Sequence, residues 1–161
     1  MIIYHGSIEI VSKPEIRKSD RSLDYGQGFY ATTSYEQALS WVIRRANEKK
    51  FNKGYINIYE FDEKSVKDFK HLVFESPTEE WVDFVMQNRM QNLFEHNYDI
   101  VYGPVANDKV YASFALYEGG IISKQTLIAE LKTYRLVDQF LFHTEKSLSI
   151  LKFIEAKEVA L

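Results

Sequence analysis

The chain has 161 residues, which fits a single domain with one core and leaves little room for a second. Hydrophobic residues make up 45% and charged residues 27% of the chain, a composition that is typical of globular proteins and argues against disorder. The formal net charge of −3 lacks the clustered positive excess of a dedicated duplex-binding protein, and the lack of cysteine excludes disulfide scaffolds, thiolate nucleophiles and cysteine-ligated metals.

No targeting segment or membrane span is visible in the sequence. The first residues, MIIYHGS, contain no basic stretch followed by a long apolar one, so no secretory signal is predicted. No apolar run approaches the ~20 residues that a bilayer-spanning helix needs. We therefore expect a cytoplasmic protein that has no membrane partner.

The first quarter of the chain predicts two short strands and a long loop. The apolar run over residues 1–5 ends at Gly6-Ser7 and is typical of an edge or opening strand. Residues 8–25 are mixed and polar and predict a loop. The run over residues 29–33, which follows two glycines, predicts a second strand.

A helix is expected directly after the second strand. Ser34 and Gln37 form a capping-box pattern that opens a helix over residues 35–50. Its apolar face is predicted to comprise Ala38, Trp41, Val42 and Ala46. The densest basic group of the chain is Arg44, Arg45, Lys49, Lys50 and Lys53. Because cations complement the dipole at the end of a helix, we interpret this group as stabilising the helix.

The middle of the chain predicts two strands and a second helix. Alternation over residues 55–61 is typical of a strand, and residues 71–75 predict another. Ser76-Pro77-Thr78-Glu79 then predicts a helix start, with a capping serine and a proline at the first helical position. This helix should continue to about residue 90.

Further strands and helices alternate irregularly to the end of the chain. A strand over residues 98–102 is expected to break at Gly103-Pro104. Residues 108–118 fit either a helix or a strand, and the Gly119-Gly120 pair that ends them favours a helix. The remaining predictions are a helix capped by Ser123 and running to residue 134, and strands over residues 139–143 and 148–155. Short strands among helices, without regular βαβ spacing, predict a single α+β domain over residues 1–161.

Two short segments carry the candidate chemistry. His5-Gly6 stands where the first strand ends, and a glycine there lets a ligand approach the backbone closely. A lone histidine at a strand end is more often structural. Gly26-Gln27-Gly28 precedes Phe29-Tyr30, whose side chains point to opposite faces of a strand. The alternative interpretation of this segment is a tight turn feeding a core strand.

These segments, in this order, resemble the ADP-ribosyltransferase superfamily, in its diphtheria-toxin and poly(ADP-ribose) polymerase branch. That branch is marked by a His-Tyr-Glu or His-Tyr-Gln triad on three strands, which His5, Tyr30 and Gln139 match here. Trp41 stands at the offset of a second aromatic residue that polymerase-like members carry. The stretches at residues 80–85, 88–89, 98–109 and 142–148 look like a bacterial family of small uncharacterised domains related to that superfamily.

The resemblance implies an ADP-ribosyltransferase-like fold, in which two small antiparallel or mixed sheets with flanking helices enclose a cleft for NAD. It implies that the Gly6 backbone pairs with the nicotinamide carboxamide and that His5 bonds a ribose hydroxyl. Tyr30 and Trp41 would sandwich the nicotinamide ring, and Gln139 would hold the 2′-hydroxyl. The implied catalytic set is His5, Tyr30 and Gln139, and the implied NAD-binding set adds Gly6, Ser7, Gly28, Thr32 and Trp41. The histidines lack metal-ligand spacing, so we expect no metal.

The glutamine at position 139 limits the chemistry that the resemblance implies. NAD would lose nicotinamide through an oxocarbenium-like transition state, as in glycoside cleavage. Glutamine can bond a hydroxyl but cannot ionise or act as a base, which disfavours polymer formation. Glu75 or Glu145 could supply a carboxylate if either faces the cleft.

The leading hypothesis is a mono-ADP-ribosyltransferase that modifies a protein or nucleic-acid acceptor. It would be a toxin-like bacterial effector that needs a cognate inhibitor, or antitoxin. The alternatives are a non-catalytic NAD or ADP-ribose module, an NAD glycohydrolase and a pure interaction domain. Transfer of an RNA 2′-phosphate to NAD would want several arginines in the cleft, and we see no such cluster near the motifs. Asn88-Arg89 could touch a phosphate or form a helix-end salt bridge.

Overall fold

The structure is a computed structural model that describes residues 1–19, 23–90, 94–106, 108–134 and 136–161. The strands are β1 (Ile2–Ser7), β2 (Phe29–Ala31), β3 (Lys53–Phe61), β4 (His71–Val73), β5 (Ile100–Pro104), β6 (Asp138–Phe142) and β7 (Leu151–Ala160). The helices are α1 (Tyr35–Lys49), α2 (Glu79–Met90), α3 (Asp108–Glu118) and α4 (Lys124–Lys132). Short 3₁₀ helices cover Glu63–Asp68 and Glu145–Ile150.

The strands form two small sheets, which confirms the predicted α+β class. The first sheet has the order β1-β3-β7 and is antiparallel throughout. The second has the order β2-β6-β5-β4, with β4 parallel to β5 and the other pairs antiparallel. The two sheets meet where β1 touches the end of β2, because Tyr4 and Thr32 exchange backbone hydrogen bonds of 2.8 and 3.0 Å.

The two sheets pack face to face with helices outside them. Ile3, Tyr59 and Phe61 of the first sheet share a core with Phe140 and Phe142 of the second. The outer face of the first sheet carries α1. The outer face of the second carries α2, α3 and α4 over a core that includes Trp81, Phe114, Leu127 and Leu141. Because strand side chains alternate between faces, each sheet contributes to two cores.

Helix α1 forms as its sequence predicts, but Trp41 lies outside its buried stripe. The Ser34 hydroxyl accepts a hydrogen bond from the Gln37 N–H, as a capping residue should. The buried stripe of this helix is Ala38, Val42 and Ala46. With about 100° per residue, Trp41 lies roughly 100° around the helix from the centre of that stripe. Its side chain therefore lies beside that stripe and is only partly buried.

Several predicted boundaries differ from the structure, and three of the differences have a physical reason. Helix α2 begins at Glu79, because the Thr78 hydroxyl accepts from the Trp81 N–H at 3.3 Å and takes the capping role expected of Ser76. Strand β5 continues through Gly103-Pro104, which pair with the start of β6, instead of breaking there. The last strand begins at residue 151, since a 3₁₀ helix occupies the preceding residues.

Candidate functional site

A cleft of about 730 Å³ opens where β1 and β2 diverge, with the loop after β1 on one side and α1 on the other. This volume falls in the ~300–1,000 Å³ range of small-molecule sites. It is lined by every residue of the expected NAD-binding set except Thr32, namely His5, Gly6, Ser7, Gly28, Tyr30, Trp41 and Gln139. The fold thus brings together side chains from β1, β2, α1 and β6.

His5 is held as a neutral imidazole whose outer nitrogen can accept a hydrogen bond. Its Nδ1 lies 2.6 Å from the Tyr30 carbonyl oxygen, which is only an acceptor, so Nδ1 carries the proton. Burial lowers the pKa of His5 to about 4, an effect that the nearby charge of Arg17 strengthens. At neutral pH the Nε2 atom is therefore unprotonated and can accept a hydroxyl hydrogen bond.

Gly6 is required by packing and leaves its backbone polar groups at the cleft. A Cβ at this position would stand 2.2 Å from the Ala38 carbonyl oxygen, so α1 can lie on β1 only if residue 6 is glycine. The Tyr4 N–H and C=O point away from β3 and bond Thr32. Residues two apart on a strand direct their N–H and C=O to the same edge, so those of Gly6 also point away from β3, at the point where β2 has diverged.

Tyr30 combines a structural hydroxyl with a ring that lines the cleft. The hydroxyl donates to the Gly26 carbonyl at 2.6 Å and accepts from the Tyr25 N–H at 3.1 Å, which fixes the turn before β2. Gly28 in that turn has φ +151°, and a Cβ there would lie 2.4 Å from a Leu141 methyl group. Trp41 lines the same cleft from α1. Two aromatic side chains thus border one cleft from different elements.

Gln139 is buried, and its amide orientation is set by two acceptors. Its Nε2 donates to the Asp24 carboxylate and to the Pro104 carbonyl oxygen, each at 3.2 Å. Both neighbours accept hydrogen bonds, so the nitrogen must face them and Oε1 must face the other way. Gln139 can therefore offer an acceptor oxygen to a ligand, while its two N–H groups are already used.

Asp24 is a cleft residue that sequence reasoning missed. It lines the cavity beside Gln139, although 115 positions separate the two residues in the chain. Burial raises the pKa of its carboxyl, and the charge of Arg89 and the hydrogen bond from Gln139 partly offset that effect. The only sequence signal was an acidic residue two positions before Gly26, which by itself is common in turns.

The structure places three other residues that were considered for the site outside the cleft lining. Thr32 is buried outside the cleft lining, and its hydroxyl donates to Asp138 at 3.0 Å and accepts from the Ser34 N–H. It therefore supports the start of α1. Glu75 and Glu145 also lie outside the lining. The Glu145 carboxylate instead accepts a hydrogen bond from the Ile16 N–H at 3.4 Å.

A basic rim along the cleft contradicts the expectation that no cluster of arginines lines the cleft near the motifs. The rim consists of Arg17, Lys18, Arg44, Arg45 and Lys49, all of which line the cavity. Helical periodicity carries Arg44 and Arg45 to the side of α1 on which Trp41 lies, so these residues do more than complement a helix dipole. Within the rim, Arg45 pairs with Glu48 at 3.8 Å and Arg17 with Glu9 at 3.1 Å.

Polar residues in the stretches that resemble the bacterial family also have structural contacts. His143 places Nδ1 at 2.5 Å from the Gln27 carbonyl oxygen, and Asp99 accepts from the Lys70 N–H and the Thr144 hydroxyl. The Asn88 amide donates to the Phe84 carbonyl oxygen within α2. Among the described residues there is no cluster of histidine and carboxylate side chains that could hold a metal ion.

Comparisons with known proteins return one family. In the described parts of the chain, no helix combines the length and apolar character that crossing a bilayer requires. No curated protein and no solved structure matches the chain. Residues 1–153 match the model of a family described as a protein of unknown function, DUF3990. Since this match covers nearly the whole sequence, the chain belongs to the DUF3990 family.

Proposed function

We propose that the protein is a mono-ADP-ribosyltransferase with an ADP-ribosyltransferase-like fold, which binds NAD in the cleft and transfers ADP-ribose to a macromolecule. One observation carries this proposal: His5, Gly6, Tyr30, Trp41 and Gln139, matched by motif order alone, all line one cavity. Their position around one cavity supports the resemblance, because they come from four separate elements, β1, β2, α1 and β6.

The geometry of the cleft suits the nicotinamide half of NAD. The Gly6 backbone presents both a donor and an acceptor, which a carboxamide can pair with in two hydrogen bonds. The rings of Tyr30 and Trp41 border the space beside it. The neutral His5 and the Oε1 atom of Gln139 both accept hydrogen bonds, so they complement the hydroxyl groups of a ribose.

The reaction needs positioning more than covalent participation by the protein. The bond between ribose C1′ and the nicotinamide nitrogen breaks, and its electron pair neutralises the positive charge on the pyridinium ring. An acceptor lone pair then bonds to C1′, and the acceptor loses one proton. Groups that hold the ribose still and stabilise its positive charge act in the transition state, where they raise the rate.

The test uses NAD labelled in the adenylate phosphate, incubated with the purified protein and a cell lysate. We expect nicotinamide release together with label on protein or nucleic acid. Trp41→Ala should weaken both, whereas Tyr134→Ala, at a surface-exposed tyrosine, should match wild type. A protein that neither binds NAD nor releases nicotinamide would overturn the proposal.

Two outcomes of the same assay identify the related alternatives. Nicotinamide release without label on any macromolecule indicates an NAD glycohydrolase, in which water captures the ribose. Binding without release indicates a non-catalytic NAD or ADP-ribose module. A toxin-like role makes a further prediction: expression slows growth, and the Trp41→Ala variant relieves that effect. A cognate inhibitor protein would relieve it as well.

The basic rim supports one second candidate, the transfer of an RNA 2′-phosphate to NAD. That reaction must hold a phosphorylated acceptor beside NAD, and cationic side chains are the groups that bind phosphate. Arg17, Lys18 and Arg44 line the cleft from two sides. Incubation of the protein with NAD and an oligonucleotide carrying an internal 2′-phosphate tests this candidate. Loss of that phosphate supports it, and an unchanged oligonucleotide refutes it.

A further inference from the structure

A carboxylate stands in the cleft wall where the triad itself has none. Asp24 lines the cavity together with His5 and Tyr30, and its Oδ2 accepts from the Gln139 Nε2 at 3.2 Å. In the resemblance to ADP-ribosyltransferases, Gln139 matches the position at which the members that form poly(ADP-ribose) chains have glutamate. A carboxylate therefore lies next to Gln139, but it belongs to Asp24 in the loop before β2 and not to a residue of β6.

The Asp24 carboxylate is held rigidly, as a group with a chemical task should be. The next residue, Tyr25, is fully buried, and its hydroxyl donates to the Pro104 carbonyl at 2.8 Å and accepts from the Trp81 indole N–H. The Tyr25 carbonyl lies 2.7 Å from His96 Nε2. The Ala106 backbone also bonds the carboxylate. An exposed loop acid would lack this anchoring, which fixes the backbone on one side of Asp24.

The surroundings of Asp24 favour proton uptake at neutral pH more than those of a surface acid. Burial raises the pKa of the carboxyl, and the charge of Arg89 on α2 limits that rise. The other charged or titratable side chains that line the cavity are His5, Tyr30, Glu15, Glu48 and the basic rim. The buried Tyr25 follows Asp24 directly in the chain. A base is most effective when its pKa approaches the operating pH.

We propose that Asp24 is the general base of the transfer reaction, taking the proton of the acceptor as the acceptor bonds to ribose C1′. The inference rests on the proposed function. In this step the acceptor lone pair forms the bond to C1′, the C1′–nicotinamide bond breaks, and its electrons pass to the ring nitrogen. The acceptor proton moves to an Asp24 carboxylate oxygen and then to solvent. Neutral nicotinamide leaves, so charge and atoms balance.

This assignment divides the work between Asp24 and Gln139. The Gln139 Nε2 group donates hydrogen bonds to Asp24 and to the Pro104 carbonyl oxygen, and so positions the carboxylate. The Gln139 Oε1 atom remains able to accept a hydrogen bond from a hydroxyl group. An ionised acid and a neutral amide then act side by side. Removing the charge of Asp24 should therefore lower turnover while leaving NAD binding intact.

The experiment compares wild type with Asp24→Asn, an isosteric variant that can still accept from Gln139. We expect nicotinamide release in the presence of acceptor to fall about 100-fold or more, which is typical of a lost general base. The dissociation constant of NAD, measured by calorimetry, should stay within about threefold. Asp68→Asn, the same change at an exposed position, should match wild type. Turnover of Asp24→Asn within tenfold of wild type would overturn the inference, as would a joint loss of binding and turnover.

The dependence of the reaction rate on pH distinguishes a general base at Asp24 from a purely structural role for this residue. In wild type the rate should fall on the acid side through one group, and the Asp24→Asn profile should lack that limb. His5→Asn should retain it, because this change removes the His5 titration and leaves the Asp24 carboxyl in place. An acid limb that survives in Asp24→Asn contradicts the inference. If Asp24→Asn does not fold, a wild-type rate that does not fall on the acid side contradicts it equally.

Failure of the proposed function gives a different result from failure of this inference. If wild type neither binds NAD nor releases nicotinamide, the transfer reaction itself is refuted. If wild type turns over and the variant does so equally, only the role of Asp24 is refuted. An Asp24→Ser variant adds a second check, since formate can enter the space of the lost carboxylate. Turnover that rises with added formate supports the base, and turnover that ignores formate opposes it.

Discussion

The unfolding free energy of this protein should depend on pH, and the contribution of His5 to that dependence can be measured separately. Burial and the charge of Arg17 lower the pKa of His5 from 6.5 to about 4, while its Nδ1–H is held by the Tyr30 carbonyl. The unfolded chain therefore takes up a proton as the pH falls below 6.5, and the folded chain does not. Stability rises with pH wherever the unfolded state binds more protons. His5 thus costs the fold stability between pH 6.5 and pH 4.

The size of this effect follows from the separation of the two pKa values. Each pH unit in the window contributes about 1.4 kcal/mol, so lowering the pH from 7 to 5 should remove about 2 kcal/mol of unfolding free energy through His5 alone. His96, whose pKa is also lowered by burial, adds to the loss in wild type and in any His5 variant alike. The contribution of His5 is therefore obtained by comparing the loss of unfolding free energy in wild type with that in a His5 variant.

Urea unfolding at pH 7 and pH 5 measures this difference. In His5→Asn the asparagine Nδ2 can stand near the place of Nδ1 and donate to the same carbonyl, but it cannot titrate. We expect wild type to lose about 2 kcal/mol more than His5→Asn over this interval. His71→Asn, at an exposed histidine, should behave as wild type does. Equal losses in wild type and His5→Asn would refute the reasoning.

Three further predictions follow from the cleft. Trp41→Ala should weaken NAD binding roughly 2- to 13-fold, the equivalent of about 0.5–1.5 kcal/mol for one aromatic stack, and Trp41→Phe should retain most of the affinity in calorimetry. Gly6→Ala should lower the unfolding free energy by about 2 kcal/mol or more in urea titrations, since its Cβ would stand 2.2 Å from the Ala38 carbonyl oxygen. Tyr30→Phe loses the hydroxyl that bonds Gly26 and should cost about 1–2 kcal/mol of stability by the same measurement, while the ring and any stacking remain.

Each of these predictions has a result that contradicts it. Equal NAD affinity in wild type and Trp41→Ala would remove the aromatic wall from the site. A Gly6→Ala protein as stable as wild type would mean that α1 can move off β1 at little cost. Tyr30→Phe with unchanged stability but lost NAD affinity would assign the hydroxyl to the ligand instead of to the turn.

Local signals in the sequence were sufficient for most elements. The Ser34–Gln37 pattern predicted α1, and the structure has that cap hydrogen bond. Such patterns work because a helix start depends on side chains within one turn. The prediction was wrong where a neighbour competed: Thr78 replaced Ser76 as the cap of α2. It was also wrong for Gly103-Pro104, which tertiary pairing with β6 keeps in a strand.

The site could be predicted only in part, since its members come from separate elements. Motif order named His5, Tyr30, Trp41 and Gln139, and these residues line one cleft. Thr32 was misplaced, because its hydroxyl is taken by Asp138 from β6, a partner that no local pattern reveals. The role of a residue depends on which side chains lie near it in space, and local sequence patterns do not give the distances between separate elements.

The sequence by itself determined the elements, the α+β class and the order of the motif residues, since these follow from short-range periodicity and capping. Only the tertiary structure decided which charges face the cleft. Asp24 meets Gln139 across 115 positions of the chain, and the arginines of α1 reach the cleft through the rotation of the helix on β1. Electrostatic interactions depend on distances in space, so the charged residues of this site could be identified only from the folded structure.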